Sequence, residues 1–360
     1  MVKCNKCSKE AVVKLHYNKT DLCGNCFCGQ FENRVKNANK EFKLIKLNQK
    51  IAVGISGGKD SAAMLYILHK IIEKVHGTTL QPILIDEGIL GYRNEAIKKA
   101  QLLCEKLGLE LKVFSYRDGF KLTMDEIMDL KKANPATGFE RSCTYCGVFR
   151  KTLLNKAALE LKADTLAIGH NLDDIAQTFL MNMFHNEPER LKRFDVINDE
   201  VEGFVPRIKP LIYNPEKEVA LYCELKGLPY FRGECPYSNE SFRGEIKNFL
   251  NDLEKKFPGV KFNLLRAYLS MRGELQKAVE FDRMFPNYEK NINMESMVQM
   301  LMGGEEKKAK SARPSSTITK CKNCGQNSST DLCKACSFVL EIERKKMEIG
   351  NKKKGSPIKN

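Results

Sequence analysis

The sequence predicts an α/β fold with a parallel sheet, flanked by a small cysteine-rich module at each end. Strand-like and helix-like segments alternate between residues 31 and 300, and pairs of cysteines cluster before residue 30 and after residue 320. A glycine turn joins an apolar run directly to a helical pattern near residue 57. Strands that alternate with helices favour a parallel sheet covered by helices on both faces.

The order of the elements follows from apolar runs and helical periodicity. The predicted elements are helix 31–47, strand 51–55, helix 59–75, strand 80–85, helix 92–108, strand 110–115, helix 143–162, strand 164–169 and helix 171–186. Asn214, Pro215 and Glu216 predict a further helix start, because they combine an N-cap residue, a first-turn proline and an acid. Residues 240–300 are also predicted to be helical.

Composition divides the chain into six parts. They are an N-terminal cysteine module (1–30), the α/β domain (31–240), a helical extension (241–302), a polar, Ser-rich linker (303–320), a C-terminal cysteine module (321–340) and a basic tail (341–360).

The cellular compartment of the protein determines whether its 14 cysteines form disulfides or stay reduced. No apolar run approaches the ~18 residues of a membrane span, and the N-terminus carries no apolar signal segment. We therefore expect a cytoplasmic protein without a membrane partner. Cytosolic thiols stay reduced, which favours metal ligation or catalysis over disulfides.

The charge predicts a polyanionic partner. The chain carries 60 Lys and Arg against 45 Asp and Glu, a net charge of +15. Part of the excess lies in the tail, which could instead be a solvated, disordered end. RNA is the partner that such a balance favours. The basic residues considered are Lys345, Lys346, Lys352, Lys353 and Lys354 in the tail, and Arg190, Lys192, Arg193, Arg207 and Lys209 elsewhere.

The glycine turn reads IAVGISGGKDS over residues 51–61. A strand that turns sharply into a helix exposes N–H groups at the positive end of the helix dipole, which forms an anion site. Gly57 and Gly58 let the backbone approach phosphate closely, and Lys59 with the Ser56 and Ser61 hydroxyls adds charge and donors. The spacing differs from GxxxxGK[ST] and GxGxxG. It resembles the PP-loop of ATP pyrophosphatases, Rossmann-like domains that cleave ATP between its α and β phosphates and adenylate a substrate.

The terminal cysteines have the spacing of structural zinc sites. Two CxxC pairs joined by a short loop place four thiolates around one ion. Cys28 and His16 are alternative ligands in the N-terminal set. Full coordination leaves no position for a substrate, so both zinc ions should be structural and stabilise these short segments. The sets are Cys4, Cys7, Cys23 and Cys26, and Cys321, Cys324, Cys333 and Cys336.

A third set of cysteines lies within the α/β region. Cys143 and Cys146 begin a predicted helix, and Cys235 lies in a loop before Pro236. Three thiolates can bind an iron–sulfur cluster and leave one iron without a protein ligand. A redox pair at Cys143 and Cys146, or a third zinc site, is the alternative. Cys104 and Cys223 sit in helical patterns and are expected to be buried, inert thiols.

The SGGKDS motif, the CxxC and the lone Cys235 together resemble the TtcA/TtuA family of tRNA thiolation enzymes. The flanking four-cysteine modules resemble the archaeal-type TtuA and cytoplasmic thiouridylase branch, the wobble-uridine enzymes. Residues 85–89, 169–174 and 209–211 match the same pattern. The resemblance implies that Cys143, Cys146 and Cys235 hold a 4Fe–4S cluster whose fourth iron can carry sulfide.

The resemblance also implies the remaining site residues. The implied ATP contacts are Ile55, Ser56, Gly57, Gly58, Lys59, Asp60, Ser61, Ile85, Arg150, Gly169 and Asp174, and the catalytic residues are Asp60, Cys143, Cys146, Arg150, Asp174 and Cys235. A backbone group of Ile85 would read adenine, and a side chain at Gly169 would block the nucleotide. Asp174 and Asp60 could hold Mg²⁺ or position the base, although Asp174 also suits the first turn of a helix without any such role.

The expected reaction is the conversion of a tRNA uridine to 2-thiouridine, by adenylation of its C2 oxygen with ATP and attack of sulfide. The wobble anticodon uridine is the first choice and the T-loop uridine the second. The alternatives are a lysidine-type PP-loop ligase, TtcA-like cytidine thiolation and a non-catalytic zinc-finger RNA-binding protein. A ubiquitin-like thiocarboxylate protein, a persulfide or inorganic sulfide would supply sulfur, and we expect a homodimer.

Overall fold

A five-stranded parallel sheet forms the centre of the protein, with strands in the order β5-β4-β3-β6-β7. The computed structural model describes residues 2–135, 138–187, 196, 201–237, 242–271 and 319–354, with no side chains after 349. The strands of the sheet are β3 (Lys50–Gly54), β4 (Thr79–Asp86), β5 (Lys112–Ser115), β6 (Thr165–Ala167) and β7 (Arg207–Ile208). Parallel pairing confirms the predicted fold class.

Helices cover both faces of this sheet. They are α1 (Gly24–Phe42), α2 (Lys59–Ile72), α3 (Tyr92–Lys106), α4 (Tyr116–Phe120), α5 (Met124–Ala133), α6 (Ser142–Glu160), α7 (Leu172–Phe184), α8 (Glu216–Leu225) and α9 (Phe242–Lys256). Residues 260–271 are also helical. Two short hairpins lie in the terminal modules, β1 (Val13–Leu15) with β2 (Thr20–Leu22) and β8 (Thr319–Lys320) with β9 (Asn327–Ser328), and helix α10 (Lys334–Lys354) follows the second.

The central strand explains the apolar run before the glycine turn. β3 pairs with β4 on one side and with β6 on the other, and Ile51, Ala52 and Val53 are fully buried. A strand buried on both faces needs a continuous apolar run rather than alternation. The chain adds β4 and β5 on one side of β3 and then returns to add β6 and β7 on the other. The carboxyl ends of β3 and β6 therefore flank the switch point, where such sheets bind ligands.

The predicted helices and strands are present, with shifted ends and several additions. The helix predicted at 31–47 is α1, which begins at Gly24 inside the N-terminal cysteine module. Helices α4 and α5, strand β7 and both hairpins were not predicted from the sequence. Asn214 is not the N-cap of α8: Pro215 takes that position, and the buried Asn214 amide donates to the carbonyl of Phe31. A backbone acceptor on a distant helix therefore fixes Asn214 in the core.

The predicted domain boundaries stay predictions, because most of the linker and the end of the helical extension lie outside the described residues. Thr319 and Lys320, the last residues of the predicted linker, pair with β9. Helix α10 crosses the predicted start of the basic tail, and Ile342 and Lys345 on it are buried. This part of the tail is therefore packed against the protein rather than solvated. Among the described residues, no helix is long and apolar enough to cross a membrane.

A buried ion pair joins the helix at 260–271 to the edge of the sheet. Lys261 donates to the carboxylate of Asp173 in the first turn of α7, and both side chains are almost fully buried. Asp173 also accepts a hydrogen bond of 2.8 Å from the backbone N–H of Glu216, the first residue of α8. One carboxylate thus holds three helices together beneath the switch point.

Lys261→Ala should destabilise the protein by about 3–5 kcal/mol, because it leaves the Asp173 carboxylate buried without its cation. Denaturant unfolding of the full chain measures this loss. Lys255→Ala is the matched control, since the Lys255 pair with Asp252 is exposed and its removal should change stability by about 0.5 kcal/mol or less. Equal effects of the two substitutions would show that the buried pair does not hold the helices together.

Candidate active site

The glycine turn is pre-shaped as an anion cradle by its own hydrogen bonds. Gly57 has a φ of +82°, and a Cβ there would lie 2.3 Å from the carbonyl oxygen of Ala96, so only glycine fits. Gly58 is the N-cap of α2 in an extended conformation. The Ser61 hydroxyl accepts from the N–H of Ser56 at 3.1 Å and donates to the carbonyl of Gly58 at 3.0 Å. The first N–H groups of α2 are left for a ligand.

Lys59 lies between two carboxylates at this cradle. Its Nζ is 2.9 Å from Asp60 and 3.0 Å from Glu216, and Glu216 also pairs with Lys247 of α9 at 3.0 Å. Burial would lower the pKa of Lys59, but the charges of Asp60 and Glu216 raise it above its ordinary value. Lys59 is therefore a permanent cation beside the first turn of α2.

The ends of β4 and β6 close the sides of the cradle. A Cβ at Gly169 would lie 3.2 Å from the backbone nitrogen of Ser61, so this glycine lets β6 approach the PP-loop itself. The carbonyl of Ile85, at the end of β4, accepts a hydrogen bond from Arg93, and Arg93 also donates to the carbonyl of Ser56 at 2.9 Å. Arg93 thus joins the end of β4 to the glycine turn.

Two further acids face the same edge. The Asn171 amide donates to Asp60 at 2.8 Å, and Asn171 and Asp174 cap the start of α7 reciprocally. Burial raises the pKa of Asp174 to about 6, and Arg243 of α9 lies 3.6 Å from its carboxylate. Asp174 therefore has the capping role that its position alone suggested. Its second oxygen and Asp60 still offer the hard oxygen ligands that Mg²⁺ prefers.

The three core cysteines surround the start of α6. Cys146 accepts a hydrogen bond of 3.2 Å from Arg150, and its carbonyl accepts one of 2.9 Å from the Tyr116 hydroxyl. The Ser142 hydroxyl donates to the carbonyl of Tyr237 at 2.9 Å, which holds the loop of Cys235 at this helix end. Burial raises the pKa of Cys235, and the charges of Cys146 and Cys143 raise it further. The fold thus brings the CxxC and the lone cysteine to one place.

The spacing of these thiols separates two of the open alternatives. Thiolates that share one zinc ion, at ~2.3 Å each, lie within about 4.6 Å of one another. Among the described residues, Cys143, Cys146 and Cys235 do not form a set within 4.8 Å, whereas both terminal sets do. A cluster attaches each cysteine to a different iron and needs the wider spacing. The three thiols are therefore not gathered around one point as the terminal sets are, and their number and separation are compatible with an iron–sulfur cluster.

Both terminal sets gather four thiols around one point. Every Sγ lies within 4.8 Å of the others in its set, with 3.4 Å between Cys7 and Cys23 and 3.6 Å between Cys324 and Cys333. Backbone N–H groups, first that of Cys23, lower the pKa of Cys4 to about 6, which favours the thiolate that zinc binds. The alternative ligands lie outside the set: Cys28 is buried, with a pKa raised by burial, and His16 is exposed.

An ion-pair chain links the nucleotide cradle to the cysteine site. Glu87, whose side chain is 2% exposed, pairs with Arg93 at 2.8 Å and with Arg150 at 2.8 Å. Arg93 contacts the PP-loop, and Arg150 contacts Cys146. The two half-sites therefore share one buried carboxylate.

For several residues of this site, no role was predicted from the sequence. Glu87 lay in a matched stretch without a function, and Glu216 was recognised only as a helix-start acid. Arg243 and Lys247 stand four residues apart on one face of α9, the spacing that places two side chains on a common surface. That spacing was the only signal for them. The residues missed are Glu87, Arg93, Glu216, Arg243 and Lys247.

Comparisons with known proteins identify the family to which this chain is similar. The PP-loop domain family matches residues 29–254. A probable sulfurtransferase of Methanocaldococcus jannaschii is 36% identical over 94% of this chain and 87% of its own length. The cytoplasmic tRNA 2-thiolation protein 1 of Meyerozyma guilliermondii is 35% identical over 97% of this chain and 92% of its own length. The solved structure of the U34-tRNA thiolase NcsA from Methanococcus maripaludis with its 4Fe-4S cluster is similar at 32% identity and a TM-score of 0.71, covering 94% of this chain and 95% of that one.

Lys59→Ala should weaken ATP binding at least about tenfold, because one charged hydrogen bond is lost and two carboxylates are left facing the phosphates. Calorimetry on the full chain measures the affinity. Lys98→Ala, which removes an exposed lysine of α3 paired with Glu95, is the control and should bind ATP as the parent does. Parental affinity in the Lys59 variant would contradict the assignment of this turn as the phosphate site.

Proposed function

Because this chain belongs to the PP-loop family of tRNA 2-thiolation enzymes, we propose that it converts a tRNA uridine to 2-thiouridine with ATP. The observation that carries the proposal is the chain of contacts from the PP-loop through Arg93, Glu87 and Arg150 to Cys146. It sets a nucleotide site beside a sulfur-ligand site at one edge of the sheet. A thiolation enzyme needs both within reach of one base.

The proposed reaction has two steps. The C2 oxygen of the uridine attacks the α-phosphorus of ATP, pyrophosphate leaves, and N3 gives up its proton. Hydrosulfide then attacks C2, the C2–O bond breaks, AMP leaves with the original oxygen, and N3 regains a proton. The first step is required because the C2 oxygen of uridine is otherwise a poor leaving group.

The residues of the cradle serve the first step. N–H groups of α2 and the Lys59 ammonium hold the β and γ phosphates, where pyrophosphate charge develops. Asp60 and Asp174 would hold Mg²⁺ against the same phosphates. Arg150 stands between Glu87 and Cys146, so its charge is available to the adenylated base and to the departing AMP. Glu216 and Lys247 keep Lys59 in place before ATP binds.

Cys143, Cys146 and Cys235 would hold a 4Fe–4S cluster. When bound, the cluster supplies an iron without a cysteine ligand, at which sulfide can be presented. The chain's own part is to hold three thiolates at the start of α6 and to keep Arg150 beside one of them. This placement disfavours a lysidine-type ligase, in which the three cysteines would have no common task. The two terminal sets would each hold one structural Zn²⁺.

Two neighbouring cations, Lys151 of α6 and Arg207 of β7, suit the RNA phosphates. Arg207 donates to the carbonyl of Lys151, and in the described part of the chain neither side chain has a carboxylate within 4.0 Å. Burial, with the charges of Lys209 and Arg243, lowers the pKa of His170 to about 3, so this histidine stays neutral. Lys209 is only 2% exposed and does not serve as a surface contact, contrary to the sequence expectation. Arg190, Lys192 and Arg193 lie outside the described residues.

The wobble anticodon uridine is the preferred target, with the T-loop uridine second. The sulfur donor is a ubiquitin-like thiocarboxylate protein or inorganic sulfide, because both deliver sulfur at the oxidation level of sulfide. A persulfide donor would need a two-electron reductant in addition. A homodimer in the cytoplasm is the proposed working form; a relative of similar length is named as cytoplasmic.

Cys235→Ala tests the mechanism. The anaerobically purified variant should lose most of its iron and the visible cluster absorption, because two thiolates remain of three. It should still bind ATP and should form no 2-thiouridine in tRNA. Cys104→Ala, which removes a buried thiol of α3, is the control and should retain iron and activity. Thiolation at the parental rate by the Cys235 variant would refute the proposed mechanism, and an iron-free, active parent would favour the redox-pair alternative.

Arg207→Gln should weaken tRNA binding evenly across sequences and reduce the slope of log affinity against log salt concentration by about 1, the value for one lost phosphate contact. Filter binding across a salt series measures the slope. Lys255→Gln provides a control of equal charge change on the exposed face of α9. An unchanged slope in the Arg207 variant would show that Arg207 does not contact an RNA phosphate.

A further inference from the structure

The C-terminal helix packs directly against the turn that carries the cluster cysteines. Phe338 of α10 is buried, and its ring centroid lies 4.7 Å from that of Tyr145 and 6.2 Å from that of Phe149, both in T-shaped geometry. Tyr145 and Phe149 stand four residues apart on α6, and Cys146 lies between them in the sequence. Phe338 therefore contacts the helical turns on which this thiol is carried.

The segment that leads into α6 is tied to the same helix. The Tyr145 hydroxyl accepts from the N–H of Glu140 at 3.2 Å and lies 3.4 Å from the carboxylate of Glu341. Lys345 donates to the carbonyl of Gly138 at 3.1 Å and lies 4.4 Å above the ring of Phe139. Lys345, expected in a basic tail, is 5% exposed and acts as a buried anchor.

The start of α6 has little support of its own. Its N-cap is Arg141, whose side chain makes no capping bond, and its first turn contains no acid. A helix end without such groups leaves its first N–H donors unsatisfied and frays. Contacts from outside the helix must then hold Cys143 and Cys146 in position, and α10 provides a share of them beside the hydrogen bonds to Tyr116 and to Tyr237.

The four-cysteine set fixes α10 in turn. Cys333 directly precedes α10 and Cys336 lies in its first turn, so a metal ion in this set would fix the helix start. Cys333, Cys146 and Cys235 all pack against one buried apolar cluster, of which Phe338 is a member. The zinc thiolates and the cluster thiolates are thus joined through a single small core.

We propose that the C-terminal module is a clamp on the cluster site and that Phe338 is its positioning residue. Zinc at Cys321, Cys324, Cys333 and Cys336 would hold α10, and α10 would hold the first turns of α6 for the iron–sulfur cluster. The proposal rests on the proposed function only for the identity of that cluster. It gives the module a role inside the enzyme, separate from any contact with tRNA.

Phe338→Ala in the full chain tests the clamp. The anaerobically purified variant should keep the parental zinc content and ATP affinity but release iron to a chelator at least about tenfold faster, because truncating a buried aromatic loosens its partners by more than one tenfold step. Amide exchange across 142–149 should accelerate in the iron-free variant, a change that needs no cluster. Phe338→Leu should restore most of the retention. Leu340→Ala, at a side chain 46% exposed on the same helix, should behave as the parent.

The outcomes separate this proposal from the one it rests on. A parent without iron would refute the proposed function and leave the exchange measurement to decide the clamp. An iron-loaded parent with parental release and exchange in Phe338→Ala would overturn the clamp alone. Loss of ATP affinity in step with iron would also overturn it, since that indicates general unfolding. Cys321→Ser gives a second test, because the clamp requires that losing this zinc also speeds iron release, and unchanged release would refute it.

Discussion

The buried carboxylate of Glu87 is the interaction on which the rest of the site depends. It follows β4 directly, so the sheet places it at the carboxyl edge, and it pairs there with Arg93 and Arg150. One buried anion facing two cations leaves a net positive charge, which favours a further anion close by. A thiolate meets that need on the Arg150 side, whereas on the other side Arg93 donates to the carbonyls of Ser56 and Ile85.

The sheet order explains why helices distant in sequence meet at this edge. β3 and β6 are neighbours although more than 100 residues separate them, so the loops after both strands open on the same crevice. Asp173 then joins α7, α8 and the helix at 260–271 beneath it. With those helices fixed, Glu216 pairs with Lys59 on one side and with Lys247 on the other. Buried pairing below the crevice thus orients the charges within it.

The parts of the site that could be predicted are those whose chemistry is local. The PP-loop is a run of consecutive residues, and each CxxC pair carries its own spacing, so both were visible in the sequence. Glu87, Arg243 and Glu216 join the candidate site only through contacts with residues distant in sequence, and no local pattern encodes such contacts. The same holds for Asn214 and Lys345, which looked like a cap and a tail cation but are buried by distant packing. The sequence gives the type of each side chain, but it does not reveal which distant residues will pack against that side chain.

The three cysteine sets differ in the number of metal ligands that they provide, and this number determines whether a set can have a chemical or only a structural role. A four-thiolate set saturates a tetrahedral ion, so it can fix a short segment but cannot accept a substrate. Under the proposed assignment, Cys143, Cys146 and Cys235 would provide one ligand fewer than a four-iron cluster can bind and so leave one position open. In the proposed site that position would lie near Arg150, which contacts both Glu87 and the thiol of Cys146. Under the proposed mechanism, chemistry at sulfur would take place where the nucleotide site can reach it, and the two four-cysteine sets would support it only structurally.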